Sequence, residues 1–275
     1  MQRNVVELYE NKMYRDEMLE EIKGRMSDRG YASPWHYVDR LFREMLSLGV
    51  KPMWIDHSIK TGEFAVHIAK NPQKYLRPEH HGKFQQLTKQ QLADIRLGAK
   101  LHDIGKIIGF VGANGDYKSL NGEVKMTPEE LDYLRLHPIV SWSYVTHLDP
   151  EGKIGLKREG VMECILYHQE NYNGTGYPLK LVGEDIPLGA RILRVVDVID
   201  AAGDPSRTWS KDMTPEQIMA HLKENEGKLF DPVIAEIFYE PLRGEQHIRK
   251  YLKSHPAKKF FPRETLSAPA AIASI

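Results

Sequence analysis

The chain is expected to be all-α, a helical bundle with a short helical N-terminal segment. Three observations on its 275 residues point there: apolar residues recur at helical spacing, helix-opening devices precede those stretches, and strand signals are few. In "VDRLFREMLSLGV", Val38, Leu41, Phe42, Met45 and Leu46 form one stripe that runs up to Gly49, a residue suited to ending a helix. Thr88 opens "TKQQLADIRLGAKLHDIGKI" with Gln91 three places on, so each side chain can satisfy the other's backbone N–H. Thr127-Pro128-Glu129-Glu130 and Thr214-Pro215-Glu216-Gln217 repeat the device with proline in the first turn and acids at the positive helix end. Asp231-Pro232 opens "PVIAEIF". Only "GEVKM", residues 122–126, reads as an arm of a small hairpin, following the turn-rich "GANGDYKSLNG".

Composition divides the chain into a charged N-terminal helical segment (1–50), regulatory or dimerising in character, a main domain (51–245) and a C-terminal extension (246–275). The 41% hydrophobic and 28% charged content is that of a soluble globular protein. With zero formal charge and a pI near 7.2, no global positive field recruits DNA or an anionic membrane. The single cysteine, Cys164 in "VMECILYH", excludes an internal disulfide and a thiolate metal cluster, and its context is that of a small buried hydrophobe. The first residues lack an apolar run of signal-peptide type and no stretch is long enough for a membrane span, so a cytoplasmic protein is expected.

The sharpest chemical signal is "LHDIGK", residues 101–106. An adjacent His-Asp pair offers an imidazole nitrogen and a carboxylate that can bridge two cations. Neighbouring positions on a helix diverge by about 100°, so His102 and Asp103 can reach one centre only where the helix ends or bends, and Gly105 is a candidate for that bend. His57, His137, His168 and Asp197 each sit in apolar helical context, where an unpaired polar group is costly. Asp197, flanked by Val195, Val196, Val198 and Ile199, needs a cation or strong donors to stay charged. Backbone partners could satisfy each of these singly; five such coincidences in one core are better explained by a shared metal site. Two divalent ions bridged by Asp103 and a water would make hydroxide and clamp a phosphate for in-line attack, with Lys106 neutralising phosphoryl charge. His80 and His81 are expected to be solvated, and His36, His67, His147, His221, His247 and His255 receive no role.

"HDIGK", "HP" at 137, "HQExxNGTGYP", "IPLGARILRVVDVIDA" and "GKLFDP" resemble, in order and approximate spacing, the motifs of the HD-GYP family, a branch of the HD hydrolases; the resemblance covers about residues 50–240. It implies an all-helical domain with two or three metals, often iron or manganese, and hydrolysis of cyclic di-GMP to pGpG or GMP. His57, His102, Asp103, His137, His168 and Asp197 match metal ligands of the family, and Lys106 matches its lysine. Asn173, Gly174, Gly176, Tyr177 and Pro178 match the substrate-side loop.

Four departures stand out. Gln169 replaces the second histidine of the family's HHE triplet, and Met53 stands where three-metal members carry an acid, so a binuclear centre is expected. Asn173 replaces the loop's usual aspartate, and "AAGDPSRTW" only loosely matches the run that usually follows Asp200. The leading expectation is a two-metal phosphodiesterase acting on cyclic di-GMP or a related cyclic dinucleotide. Two alternatives remain: a binder of cyclic di-GMP, or of a GGDEF-domain protein through the loop, that signals without turnover; and a hydrolase of another phosphoester. A homodimer through residues 1–50 is a further candidate arrangement.

Overall fold

The helix-opening residues act as their chemistry dictates. In the computed structural model, which describes residues 17–26, 30–48, 50–108, 110–111, 117–118, 132, 134–203 and 213–244, Thr88 and Thr214 each form a complete capping box with Gln91 and Gln217. Asp231 accepts from the backbone N–H groups of Val233 (2.8 Å) and Ile234 (3.2 Å), and its other oxygen pairs with Arg191 at 2.5 Å. The described helices are α1 (Glu17–Met26), α2 (Pro34–Ser47), α3 (Pro52–Ala69), α4 (Lys89–Leu101), α5 (Ile104–Ile108), α6 (His137–Leu148), α7 (Glu159–Tyr167), α8 (Leu188–Ala202), α9 (Pro215–Glu224), α10 (Pro232–Ile237) and α11 (Tyr239–Gly244), and the devices above open α4, α9 and α10.

The all-α expectation holds. One small antiparallel pair interrupts it: β1 (Phe110–Val111) faces β2 (Tyr117–Lys118), with Phe110 opposite Lys118. Its second arm therefore comes from the stretch read as turn, a misjudgement that two-residue strands invite because they carry no alternation. "GEVKM", Gly49 and the Thr127–Glu130 device lie outside the described residues.

Two apolar clusters form the core. The first joins α1 and α2 (Leu19, Ile22, Val38, Leu41, Phe42) to Ile55, Leu97, Leu101, Tyr144 and Ile165. The second gathers Phe64, Ile68, Ile95, Cys164, Val196, Ile199, Phe230 and Phe238. Thus α3, α4 and α7 feed both clusters and form the central layer. The described helices of the N-terminal segment share the first cluster with the main domain, and the Tyr37 hydroxyl donates to the Leu148 carbonyl at 3.4 Å. Cys164 is fully buried there and burial pushes its thiol up, as an inert core residue requires.

His80 corrects an expectation. It is half-buried, with Nδ1 2.5 Å from the Glu236 carboxylate, which also binds Arg77 Nη2 at 3.0 Å. Glu236 lies 156 residues away, on α10, so local polarity could not reveal the pairing. No described helix is long and apolar enough to cross a membrane.

Candidate metal centre

Each helix of the central layer delivers one histidine to a single buried point. His57 projects from the interior of α3, His102 follows the last residue of α4, and His168 follows the last residue of α7. His137 opens α6, and Asp197 lies on α8. His102 and Asp103 fall in the break between α4 and α5, which lets two adjacent side chains reach one centre. Gly105 has a different part from the one expected. It lies inside α5, where a Cβ would come within 2.8 Å of Ser141 N and 2.9 Å of the His137 carbonyl oxygen, so its hydrogen permits α5 to pack directly on α6.

The six donors divide into two groups that share Asp103: His57, His102, Asp103 and Asp197; and Asp103, His137 and His168. Within each group the ligand atoms lie within 4.8 Å of one another. Asp103 Oδ2 faces His57 Nε2 (3.7 Å) and His102 Nε2 (3.5 Å), whereas Oδ1 faces His137 Nε2 (3.3 Å) and His168 Nε2 (3.6 Å). Asp197 Oδ1 closes the first group, 3.1 Å from His57 Nε2 and 3.7 Å from His102 Nε2.

The far nitrogen of every ring is occupied. His102, His137 and His168 place Nδ1 on the carbonyls of Ala99 (2.6 Å), Leu134 (2.7 Å) and Ile165 (2.8 Å), each three residues earlier. A carbonyl accepts only, so Nδ1 carries the proton and Nε2 presents a lone pair. His57 obtains the same result from Asp200, whose Oδ2 is 2.6 Å from Nδ1. The consequence is two pairs of facing Nε2 atoms, His57–His102 at 3.3 Å and His137–His168 at 3.0 Å. Lone pairs at that separation repel unless a cation or proton lies near both, so nitrogen and carboxylate donors together fit divalent transition metals.

Electrostatics agree with this. Burial alone would raise the carboxyl of Asp103, yet His102 and Lys106 hold it well below the usual range. Burial is likewise overcome at Asp197 by hydrogen bonds from His102 and His57. Burial lowers His168 to about 4 and His137 well below its ordinary value, Lys106 adding to the latter. His102 goes the other way, because Asp103 and Asp197 outweigh its burial. Lys106 Nζ stands 2.9 Å from the Asp103 carboxylate and is partly open to solvent.

The glycine-bearing loop closes beside this cluster. Buried Glu170 accepts backbone N–H bonds from Leu179 (2.6 Å), Lys180 (3.0 Å) and Leu181 (3.2 Å), fastening the loop's return to its start. Gly176 is so tightly covered that a Cβ would lie 2.2 Å from Asn171 N. Tyr177, which precedes Pro178 through a cis peptide bond, meets the edge of His137 with ring centroids 6.1 Å apart. Asn173 turns inward on the loop, accepting from Thr175 N at 3.1 Å, and Gly174 sits against Val182. Of the five loop residues singled out, Tyr177 is the one in ring contact with the histidines; Asn173, Gly174 and Gly176 shape the loop.

Sequence reasoning missed several neighbours. Asp200 stands three places after Asp197 and Lys60 three places after His57, spacings that put each on a shared helix face. Gln169 Nε2 donates to Asp197 Oδ2 at 3.3 Å, and Arg194 donates to Asn171 Oδ1 through Nε (3.2 Å) and Nη2 (2.9 Å). Met53 is partly buried against the first apolar cluster.

Comparison with known proteins agrees with the geometry. Residues 78–234 match the family model described as "HD domain". The chain is 34% identical over 146 residues to the cyclic di-GMP phosphodiesterase response regulator RpfG of Xanthomonas campestris pv. campestris, covering 53% of this chain and 35% of that protein. It is 30% identical over 189 residues to a cyclic di-GMP phosphodiesterase of Vibrio cholerae, covering 65% and 36% of the two chains. To the 3'3'-cGAMP-specific phosphodiesterase 2 of Vibrio cholerae it is 30% identical over 154 residues, covering 56% and 27%. The matches thus span about a third of each relative. With more than half of its length matched by the family model, this chain belongs to the HD domain family.

Proposed function

We propose that the chain is a metal-dependent phosphodiesterase that hydrolyses cyclic di-GMP to pGpG or GMP at a centre of two divalent ions, iron or manganese. One observation carries the reading: the two oxygens of Asp103 face different imidazole pairs, the geometry a bridging carboxylate needs. The activities for which these relatives are named supply the substrate class. Gln169 offers an N–H to Asp197 in place of a ligand nitrogen, which favours two ions over three.

When bound, the two ions supply Lewis acidity that lowers the pKa of a water and stabilises the attacking and leaving oxygens. His57, His102 and Asp197 would hold one ion, His137 and His168 the other, and Asp103 would serve both. Lys106 leans on Asp103 and reaches solvent, so its ammonium can neutralise charge gathering on a phosphoryl oxygen. The Tyr177 ring and the Glu170-fastened loop wall the His137 side and seat the dinucleotide.

Two results are expected. Lys106→Ala should leave both ions in place and lower kcat/KM roughly 10- to 100-fold, because it removes one electrostatic contact to the phosphate; unchanged kinetics would take Lys106 out of the site. Acidification should empty the two halves in order. Protons compete with metal for Nε2, and His102 holds its proton to higher pH than His137 or His168. As the pH falls, the half that holds His102 should therefore release its ion first. Equilibrium dialysis at stepped pH checks this, and release in the opposite order would contradict the assignment.

The function is tested by incubating anaerobically purified, Mn(II)- or Fe(II)-loaded protein with cyclic di-GMP and, in parallel, 3'3'-cGAMP, and resolving products by chromatography. Linear dinucleotide or mononucleotide from cyclic di-GMP is expected. Product from 3'3'-cGAMP alone would reassign the substrate, and no product from fully loaded protein would leave a binding protein.

A further inference from the structure

Three of the four metal-facing histidines take their orientation from a carbonyl three residues earlier, a group left without an intrahelical partner where a helix ends or has yet to begin. His57 cannot do so, because it lies in the interior of α3, where the backbone carbonyls already serve the helix. Thr61 is no substitute, since its hydroxyl donates to the His57 carbonyl at 2.7 Å and lies 3.3 Å from Nδ1. The orientation comes instead from across the core: Asp200 Oδ2 is 2.6 Å from His57 Nδ1, and Asp200 Oδ1 is 2.9 Å from Lys60 Nζ. Lys60 and Asp200 are 3% and 2% exposed, so neither charge has water to fall back on.

We propose that Lys60 and Asp200 act as a buried positioning pair that fixes His57 with Nε2 aimed at the metal, and so sets the affinity of the His57–His102–Asp197 half of the centre. The pair touches neither metal nor substrate. Its chemistry requires a carboxylate, since two donors, the ammonium and the Nδ1–H, approach opposite oxygens, and a carboxamide has one acceptor oxygen only. A ring held by an anion is also a more basic ligand at its far nitrogen. Lys60 supplies the second donor to that carboxylate, on the oxygen away from His57. The inference rests on the binuclear reading above.

The test is Mn(II) binding by equilibrium dialysis together with electron paramagnetic resonance, which distinguishes a coupled pair from an isolated ion. Asp200→Asn should retain one tight ion and bind the second 10- to 100-fold more weakly, replacing the coupled signal by that of an isolated ion. Because a lone buried Lys60 could unfold this variant, the double substitution Lys60→Met with Asp200→Leu removes both charges and keeps the core filled; its thermal melting should match wild type or exceed it. The same loss of one ion is expected there, from a fold that is intact. Restoring Asp200 alone, as in Lys60→Met, should bind the second ion more tightly than the double variant does and more weakly than wild type, a graded outcome that a purely structural pair would not give. If the folded double variant binds two coupled ions with wild-type affinity, the positioning role is wrong. If wild-type protein itself binds no coupled pair, the binuclear reading fails first.

Discussion

Asp103→Asn should empty both halves of the centre and lower phosphodiester turnover by about a thousandfold or more. The side chain keeps its shape, so the loss would report charge and bridging. Asp103 is the only donor common to both groups. Replacing its charge removes the anion that draws two dications together, and a carboxamide presents an N–H where a lone pair is required. The helical fold should survive, because the four imidazoles remain fastened through Nδ1 to Asp200 and to three carbonyls. Metal content and far-UV circular dichroism of the same sample separate these effects. A variant that still carries two tight ions would remove Asp103 from the bridge.

Gly105→Ala should damage both the fold and the centre, although it adds a single carbon. The added Cβ would meet three atoms at 2.8–2.9 Å, two of them backbone atoms of α6 that cannot rotate away. Relief requires α5 to move off α6, which separates Asp103, just before α5, from His137 at the start of α6. Overpacking of this kind costs about 1–3 kcal/mol, a fall in Tm of roughly 2–12 °C for a domain of this size. The His137–His168 half should lose affinity for its ion as well. Gly82→Ala, where a Cβ would meet nothing within 4 Å, provides the neutral comparison. Equal melting temperatures and metal contents for the two variants would contradict this account.

The donor atoms were legible in the sequence because each is a polar residue set in an apolar helical stretch, and the cost of burying such a group singly is what marks it. His57, His102, Asp103, His137, His168 and Asp197 do converge in the structure. Their orientation was not legible. The carbonyls behind His102 and His168 become available only because α4 and α7 stop one residue before them. Asp200 reaches His57 across 143 residues, so the pairing is a product of helix packing. Asp200 was nonetheless visible as the second carboxylate of "VVDVIDAA", three places from Asp197, and a second acid on that face should have prompted a search for a cation. The loop carries a packing role that its glycine-rich run did not reveal: Gly176 is needed for the backbone of Gln169, Glu170 and Asn171 to lie against it. The Tyr117–Lys118 strand was read as turn because two-residue strands leave no periodic trace, and the bend assigned to Gly105 proved to be a close helix contact.

The binuclear phosphodiesterase is tested most directly by measuring cyclic di-GMP turnover while Mn(II) is added stepwise to metal-free protein. The account requires little turnover through the first equivalent, a steep rise through the second and a plateau once both groups around Asp103 are filled. Full activity at one equivalent, or none at two in a sample whose bound metal has been measured, would contradict it.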